Sequence, residues 1–236
     1  MSEQSEFYEQ VGVAMTCRSF TEYEKMFVLS EQDLEQGTLL DIAGGAASFT
    51  AIARSKGIKA FAVDPLYQKS IEEMAEHGRN EISSIFEKLA KLTTTYDWTF
   101  YGTPELHREN RLRALDVFME DYAKADANET YVASALPNLP FEANSFSLIL
   151  CSHFLFLYQE QFDYTFHINA VTEMLRVCRA GGQIRIYPIF DFKGLPYSHL
   201  EGIKLLMQEQ GATVELIASE LPFLPGSTHY LNIQKP

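Results

Sequence analysis

The chain is poor in cysteine, tryptophan and positive charge. Its 236 residues include 3 Cys and 1 Trp. Cys17, Cys151 and Cys178 are unevenly spaced and form no CxxC pair, which argues against a disulfide framework or a thiolate zinc site and fits a reducing, cytoplasmic setting. Lys and Arg number 19 against 32 Asp and Glu, a net charge of −13, and no Lys/Arg run occurs. That field works against wrapping a nucleic-acid backbone or lying on an anionic membrane, so the expected partner is a small molecule. No apolar run is long enough to span a bilayer, and the opening MSEQSEFYEQ is polar and acidic, unlike a signal peptide. His77, His107, His167, His199 and His229 are scattered without metal-ligand spacing, so no metal is expected. The composition leaves the oligomeric state open.

At 46% hydrophobic and 22% charged, the chain reads as one globular domain over 1–236 with a large core. It is organised around residues 38–66, TLLDIAGGAASFTAIARSKGIKAFAVDPL. A short apolar run ending at Ile42 reads as a buried strand. Ala43, Gly44, Gly45, Ala46 and Ala47 then give a tight turn that a ligand can approach closely. Phe49, Ile52 and Ala53 fall at helical spacing, Gly57 is placed to stop that helix, and 60–63 is a second strand closed by Asp64 and Pro65. Strand, small-residue turn, helix and strand ending in an acid make half of a nucleotide-binding βαβ unit. A carboxylate at Asp41, read as standing at the mouth of the turn, repels a pyrophosphate and suits an ammonium or sulfonium; Asp64 is placed to accept from ribose hydroxyls. A cationic amino-acid end plus a ribose describes S-adenosylmethionine (SAM).

The stretch resembles motif I and the acidic loop of the class I SAM-dependent methyltransferases. Of the family's acid-x-Gly-x-Gly-x-Gly only the central glycine is kept, as Gly45, with Ala43 and Ala47 at the flanking positions. A second segment, 131–158, is similar to the family's G-D-A-x-x-L-P-F-x-x-x-S-F-D and the C-S-H strand end: Leu139, Pro140 and Phe141, then Ser145 and Phe146, then Cys151, Ser152 and His153. Where the family has an adenine-binding aspartate this chain has Ser134. Its helix, R-P-G-G turn and fifth strand have a counterpart in EMLRVCRAGGQIRIYPI. The resemblance implies a Rossmann-like α/β fold with a seven-stranded, mostly parallel sheet ordered 3-2-1-4-5-7-6, the last strand antiparallel. It implies SAM as cofactor and methyl transfer to a small molecule by in-line displacement. On this reading Asp41, Ala43, Gly44, Gly45, Asp64, Pro65, Leu66, Ser134, Ala135, Leu136 and Ser152 hold the cofactor, Tyr8 and Arg18 reach over it, and His153 is either a general base or a wall of the pocket.

Along the rest of the chain, residues 1–37 read as an N-terminal helical cap, with Ser19 and Glu22 at capping-box spacing. Residues 67–130 are more than twice what one crossover needs and read as a helical insertion. Helices are expected over 71–92 and 106–122, joined by an aromatic patch around Trp98 that is either a small separate core or a substrate-binding lid. Further helices are expected over 159–179, stopped by Gly181 and Gly182, and over 195–210. Two other readings are weighed. An NAD-dependent oxidoreductase is disfavoured by Asp41 and by segment 139–146. A SAM-binding or partner-binding protein without turnover is favoured by the altered turn and by Ser134.

Overall fold

The computed structural model describes residue 10, residues 12–224 and residues 226–236. Short apolar runs become the centre of one sheet: β1 (Leu39–Ile42), β2 (Ala60–Val63) and β4 (Phe146–Ser152) are almost wholly buried, as parallel strands covered on both faces must be. With β3 (Tyr131–Val132), β5 (Cys178–Tyr187), β6 (Thr213–Ala218) and β7 (His229–Gln234) they form a seven-stranded sheet ordered β3-β2-β1-β4-β5-β7-β6. Pairing is parallel from β3 through β5, and β7 runs antiparallel to both neighbours, as the sequence implied. The order reverses between β1 and β4, which lie in register with Ile42 opposite Cys151. Their carboxyl ends therefore open a crevice at the switch point of the sheet.

Helix α1 (Phe20–Phe27) starts at a complete Ser19–Glu22 capping box and ends in a left-handed Val28. A short α2 (Glu31–Glu35), unanticipated, follows on its own box from Ser30 and Asp33. Helix α3 (Phe49–Ser55) covers the first crossover. The insertion is helices α4 (Ile71–Leu89) and α5 (Pro104–Tyr122), followed by a single turn, α6 (Ala127–Thr130). A Cβ on Gly78 would stand 2.7 Å from Leu115 Cδ1, so the missing side chain lets α4 and α5 approach closely.

Three expected boundaries differ. Helix α7 (Tyr164–Val177) is shorter than 159–179 because Asp163 caps it, accepting from the Phe166 N–H at 2.7 Å. Gly181 and Gly182 do not stop a helix but lie inside β5, where the register against β4 shifts. A Cβ on Gly182 would sit 3.0 Å from the Ser147 carbonyl, so the strand crosses there on glycine alone. Helix α8 (Leu200–Glu209) begins later than residue 195, since Asp191 accepts from the N–H groups of Lys193 and Leu195, both at 2.9 Å, and ties that stretch into a turn.

The insertion does not stack a core of its own. Met74, Ile82, Ala114, Leu115 and Phe118 join Ala62, Tyr67 and Tyr131 of the sheet region in one apolar cluster. Phe118 is fully buried and stacks on Tyr67 and Tyr122 with its edge to Tyr131. Replacing Phe118 with Ala should therefore cost about 3–5 kcal/mol in the whole domain. Urea unfolding followed by both far-UV circular dichroism and fluorescence checks this; two separated transitions would mean the insertion folds apart from the sheet.

Candidate active site

The floor of the crevice is the turn after β1. Ala43 holds a left-handed backbone (φ 54°) and Gly45 another (φ 51°). A left-handed alanine costs roughly 1–2 kcal/mol more than glycine there, so the family's missing first glycine is a strained position. Tyr67 ties the turn from below, donating to the Gly45 carbonyl at 2.8 Å. The chain before α1 straps it from above. The Ser48 N–H donates to the Arg18 carbonyl at 2.8 Å and the Ala14 N–H to the Tyr158 hydroxyl at 2.9 Å. A Cβ on Gly45 would stand 2.9 Å from Met15 Cγ, so glycine is what lets the strap lie flat.

Arg18, Ala43, Gly44, Gly45, Asp64, Pro65, Leu66, Ser134, Ala135, Leu136, Ser152 and His153 all border one cleft of about 950 Å³, its open mouth included. Tyr8 lies outside the described residues. Asp41 is the exception among the expected residues. It does not stand at the mouth but lies under the floor, 1% exposed, with both carboxylate oxygens accepting from the Tyr23 hydroxyl at 3.0 and 3.1 Å. Burial pushes its carboxyl up to about 8, with the Tyr23 hydrogen bond and Arg18 opposing and Asp64 adding. At neutral pH Asp41 is therefore mostly protonated, and the acid that lines the cleft is Asp64, whose carboxyl burial also raises against the Leu66 and Gly45 N–H donors. Asp64 accepts from the Gly45 N–H at 3.0 Å and the Leu66 N–H at 2.9 Å. Two of its lone pairs are thus used, and two remain for donors in the cleft.

A second chamber, about 650 Å³ with its mouth, adjoins the first and shares Ala14, Thr16, Arg18 and His153 with it. Tyr96, Tyr101, His107, Phe223 and Leu224 contribute to its walls. Trp98 does not border it. Its Nε1 donates to the Thr93 carbonyl at 2.9 Å and its ring sets an edge on Phe223, so the indole braces the loop and Tyr96 and Tyr101 face the space instead. Behind the wall, Arg111 of α5 donates to Glu22 of α1 at 2.6 Å, and the Tyr101 hydroxyl donates to the same carboxylate. Burial alone would raise Glu22, but Arg111 outweighs it and holds the carboxyl down to about 2. His153 leaves β4 in a left-handed conformation (φ 51°), with Nδ1 3.0 Å from the Ser152 hydroxyl. Burial first, then the charges of Arg18 and Arg111, hold its imidazole well below the usual range and therefore neutral.

Tyr23, Tyr67, Glu22, Arg111 and His107 were not anticipated as site residues. Tyr23 sits on the buried face of α1, a position that the helical spacing did reveal. Glu22 and Arg111 are 89 positions apart and carry no local signal.

Residues 103–186, from the start of α5 into β5, match the family model described as a methyltransferase domain. That match, over 84 of the 236 residues, supports a methyltransferase reading of the chain. It is 29% identical over 219 residues to an uncharacterized protein of Methanocaldococcus jannaschii, covering 92% of this chain and 94% of that one. A Listeria monocytogenes structure assigned to the SAM-dependent methyltransferases aligns with a TM-score of 0.50 at 11% identity, over 92% of this chain and 98% of that one. The magnesium protoporphyrin IX methyltransferase of Synechocystis PCC 6803, solved with bound SAM, aligns at 0.45 and 10% identity, over 84% and 69%. At these identities the structural likeness is one of fold. The small-residue turn beside a half-satisfied Asp64 fits a ribose and an amino-acid end. Among the described residues no group of His, Cys, Asp and Glu is placed to hold a metal, and no helix is long and apolar enough to cross a membrane.

Two measurements test the turn. Because Asp41 is raised when folded, the stability it lends is complete below about pH 4 and is lost as pH climbs towards 8. Asp41→Asn removes that loss, so calorimetric melting of the ligand-free variant should gain on the wild type between about pH 5 and pH 8; equal differences at both pH values would contradict it. Ala43→Gly relieves the left-handed alanine against a larger unfolded-state entropy, and should raise stability by up to about 1 kcal/mol, or roughly 2–4 °C in melting temperature.

Proposed function

We propose that this methyltransferase acts on a small-molecule acceptor that lies in the second chamber while SAM lies in the first. The observation that carries this is the shared wall: Ala14, Thr16, Arg18 and His153 border both spaces, so two molecules can meet there. A chamber closed by the strap, α4 and the loop before α5 suits a small molecule, and the net charge of −13 disfavours a nucleic acid.

In this reading Asp64 accepts from the ribose hydroxyls, and the backbone at Ala43, Gly44 and Gly45 runs beside the methionine end. Arg18 meets its carboxylate, Ser134, Ala135 and Leu136 frame the adenine, Pro65 and Leu66 close the ribose side, and Ser152 stands at the exit of β4. The Ser134 hydroxyl donates to the Asn138 carbonyl at 3.0 Å, which leaves its lone pairs free to accept. A cation bound above Asp41 favours its ionised form. When bound, SAM supplies a methyl on a sulfonium, whose C–S bond breaks with its electron pair going to sulfur as an acceptor lone pair takes the carbon. The protein's part is alignment, which supplies much of the rate in such displacements. A neutral, desolvated His153 is a poor proton acceptor, so its role is to orient the acceptor, and the released proton goes to water.

Titration calorimetry should show binding of SAM and of S-adenosylhomocysteine, weakened by about 10-fold or more in Asp64→Ala. Labelled SAM supplied with a panel of small molecules reads out transfer. Absence of SAM binding overturns the assignment of the cleft, and transfer confined to macromolecules overturns the small acceptor.

A further inference from the structure

The second chamber holds polar groups that the protein itself leaves without partners. Arg18 is half-buried, and its guanidinium makes no hydrogen bond or ion pair among the described residues; only its backbone N–H and carbonyl are engaged. The neighbouring cation is already neutralised, since Arg111 is paired to Glu22. Among the described residues no Asp or Glu borders this chamber, and the one acid bordering the adjoining cleft is Asp64. The wall between the two spaces therefore carries one uncompensated positive charge, held away from bulk water, where a charge is costly unless it is paired.

Two further groups face the same space. His107 is 2% exposed and Tyr96 7% exposed, and neither the imidazole nitrogens of the one nor the hydroxyl of the other has a hydrogen-bond partner among the described residues. Burial, then Arg111, pushes His107 down to about 2, so it is a neutral ring with one donor and one acceptor. These polar atoms are open to the chamber, so a ligand there can take the place of water as their partner. The rest of the lining is ring and branched-chain surface: Tyr101 sets its edge to Phe223 at 4.9 Å and to His107 at 4.6 Å, with Leu157 and Leu224 also on the wall. Flat apolar walls around fixed polar points recognise a planar body with polar substituents.

We propose that the methyl acceptor is a planar aromatic or heteroaromatic acid, its anionic group against Arg18 and its ring substituents on His107 and Tyr96. This rests on the reading of the second chamber as the acceptor site. Arg18 borders both spaces and presents five donors in a fork, enough to hold a carboxylate on each side. The anion also offsets the positive field that a bound sulfonium adds, so acceptor and cofactor favour one another's binding.

The test uses the full chain saturated with S-adenosylhomocysteine and calorimetric titration of salicylate, indole-3-carboxylate and quinoline-2-carboxylate, each against its primary amide, its amine analogue and hexanoate. At least one aromatic acid should bind about 10-fold or more tighter than its amide, its amine and the aliphatic acid. His107→Phe and Tyr96→Phe keep ring volume and border only the second chamber; each should weaken that acid by about 3-fold to 10-fold and leave S-adenosylhomocysteine affinity within about 2-fold. If S-adenosylhomocysteine binds and no aromatic acid outbinds its amide, or amines or hexanoate bind better, or both variants bind the acid as the wild type does, the inference fails. If S-adenosylhomocysteine does not bind, the failure belongs to the cofactor cleft instead.

Discussion

The buried pair of Glu22 and Arg111 is the interaction on which the site's shape depends. It joins the first helix of the chain to the second helix of the insertion, at 0% and 3% exposure, and gathers Tyr101, Asn110 and Ser19 around the same carboxylate. Such a pair adds little net stability over an apolar substitute, but losing one partner strands the other, typically at about 3–5 kcal/mol. Its value here is geometric. The N-terminal strap and the insertion approach the sheet from different stretches of sequence, and the pair fixes the distance between them. Arg111 and Tyr101, both held to Glu22, stand on the wall of the second chamber.

Charge is distributed around the site in an unequal way. The acids lie low and behind: Asp41 under the turn and bound to Tyr23, Asp64 at the ribose side with two backbone donors. Arg18 lies between the two spaces and Arg111 borders the second alone, and of these two cations only Arg111 is paired among the described residues. Burial pulls Asp41 towards its neutral form and Arg18 downward from its ordinary value. Ligands that bring a cation over the turn and an anion to Arg18 relieve both penalties at once, which is how a strongly acidic protein can present a locally positive chamber.

Much of the first half-site was legible because it is local. A strand, a small-residue turn and an acid twenty-odd residues on lie within 38–66, and the residues named there border one cleft, Asp41 excepted. Asp41 shows where local reasoning ends: chain position puts it at the strand's end, but the Tyr23 hydroxyl and complete burial decide that it faces the core and is mostly protonated. Trp98 shows the same limit. It is the most conspicuous residue of the aromatic patch, yet the Thr93 carbonyl and Phe223 turn it away from the space that Tyr96 and Tyr101 border.

The sequence by itself determined the central strands and the place of the small-residue turn, because apolar periodicity and turn-forming residues act over a few to a few tens of positions, and the strand order followed from the family resemblance of its motifs. Only the tertiary structure decided that the insertion shares its core with the sheet, that Glu22 meets Arg111, and that Arg18, Tyr96 and His107 surround one space. Glu22 and Arg111 are 89 positions apart, and a pairing across such a distance is set by which surfaces the packed elements bring together, not by any pattern along the chain.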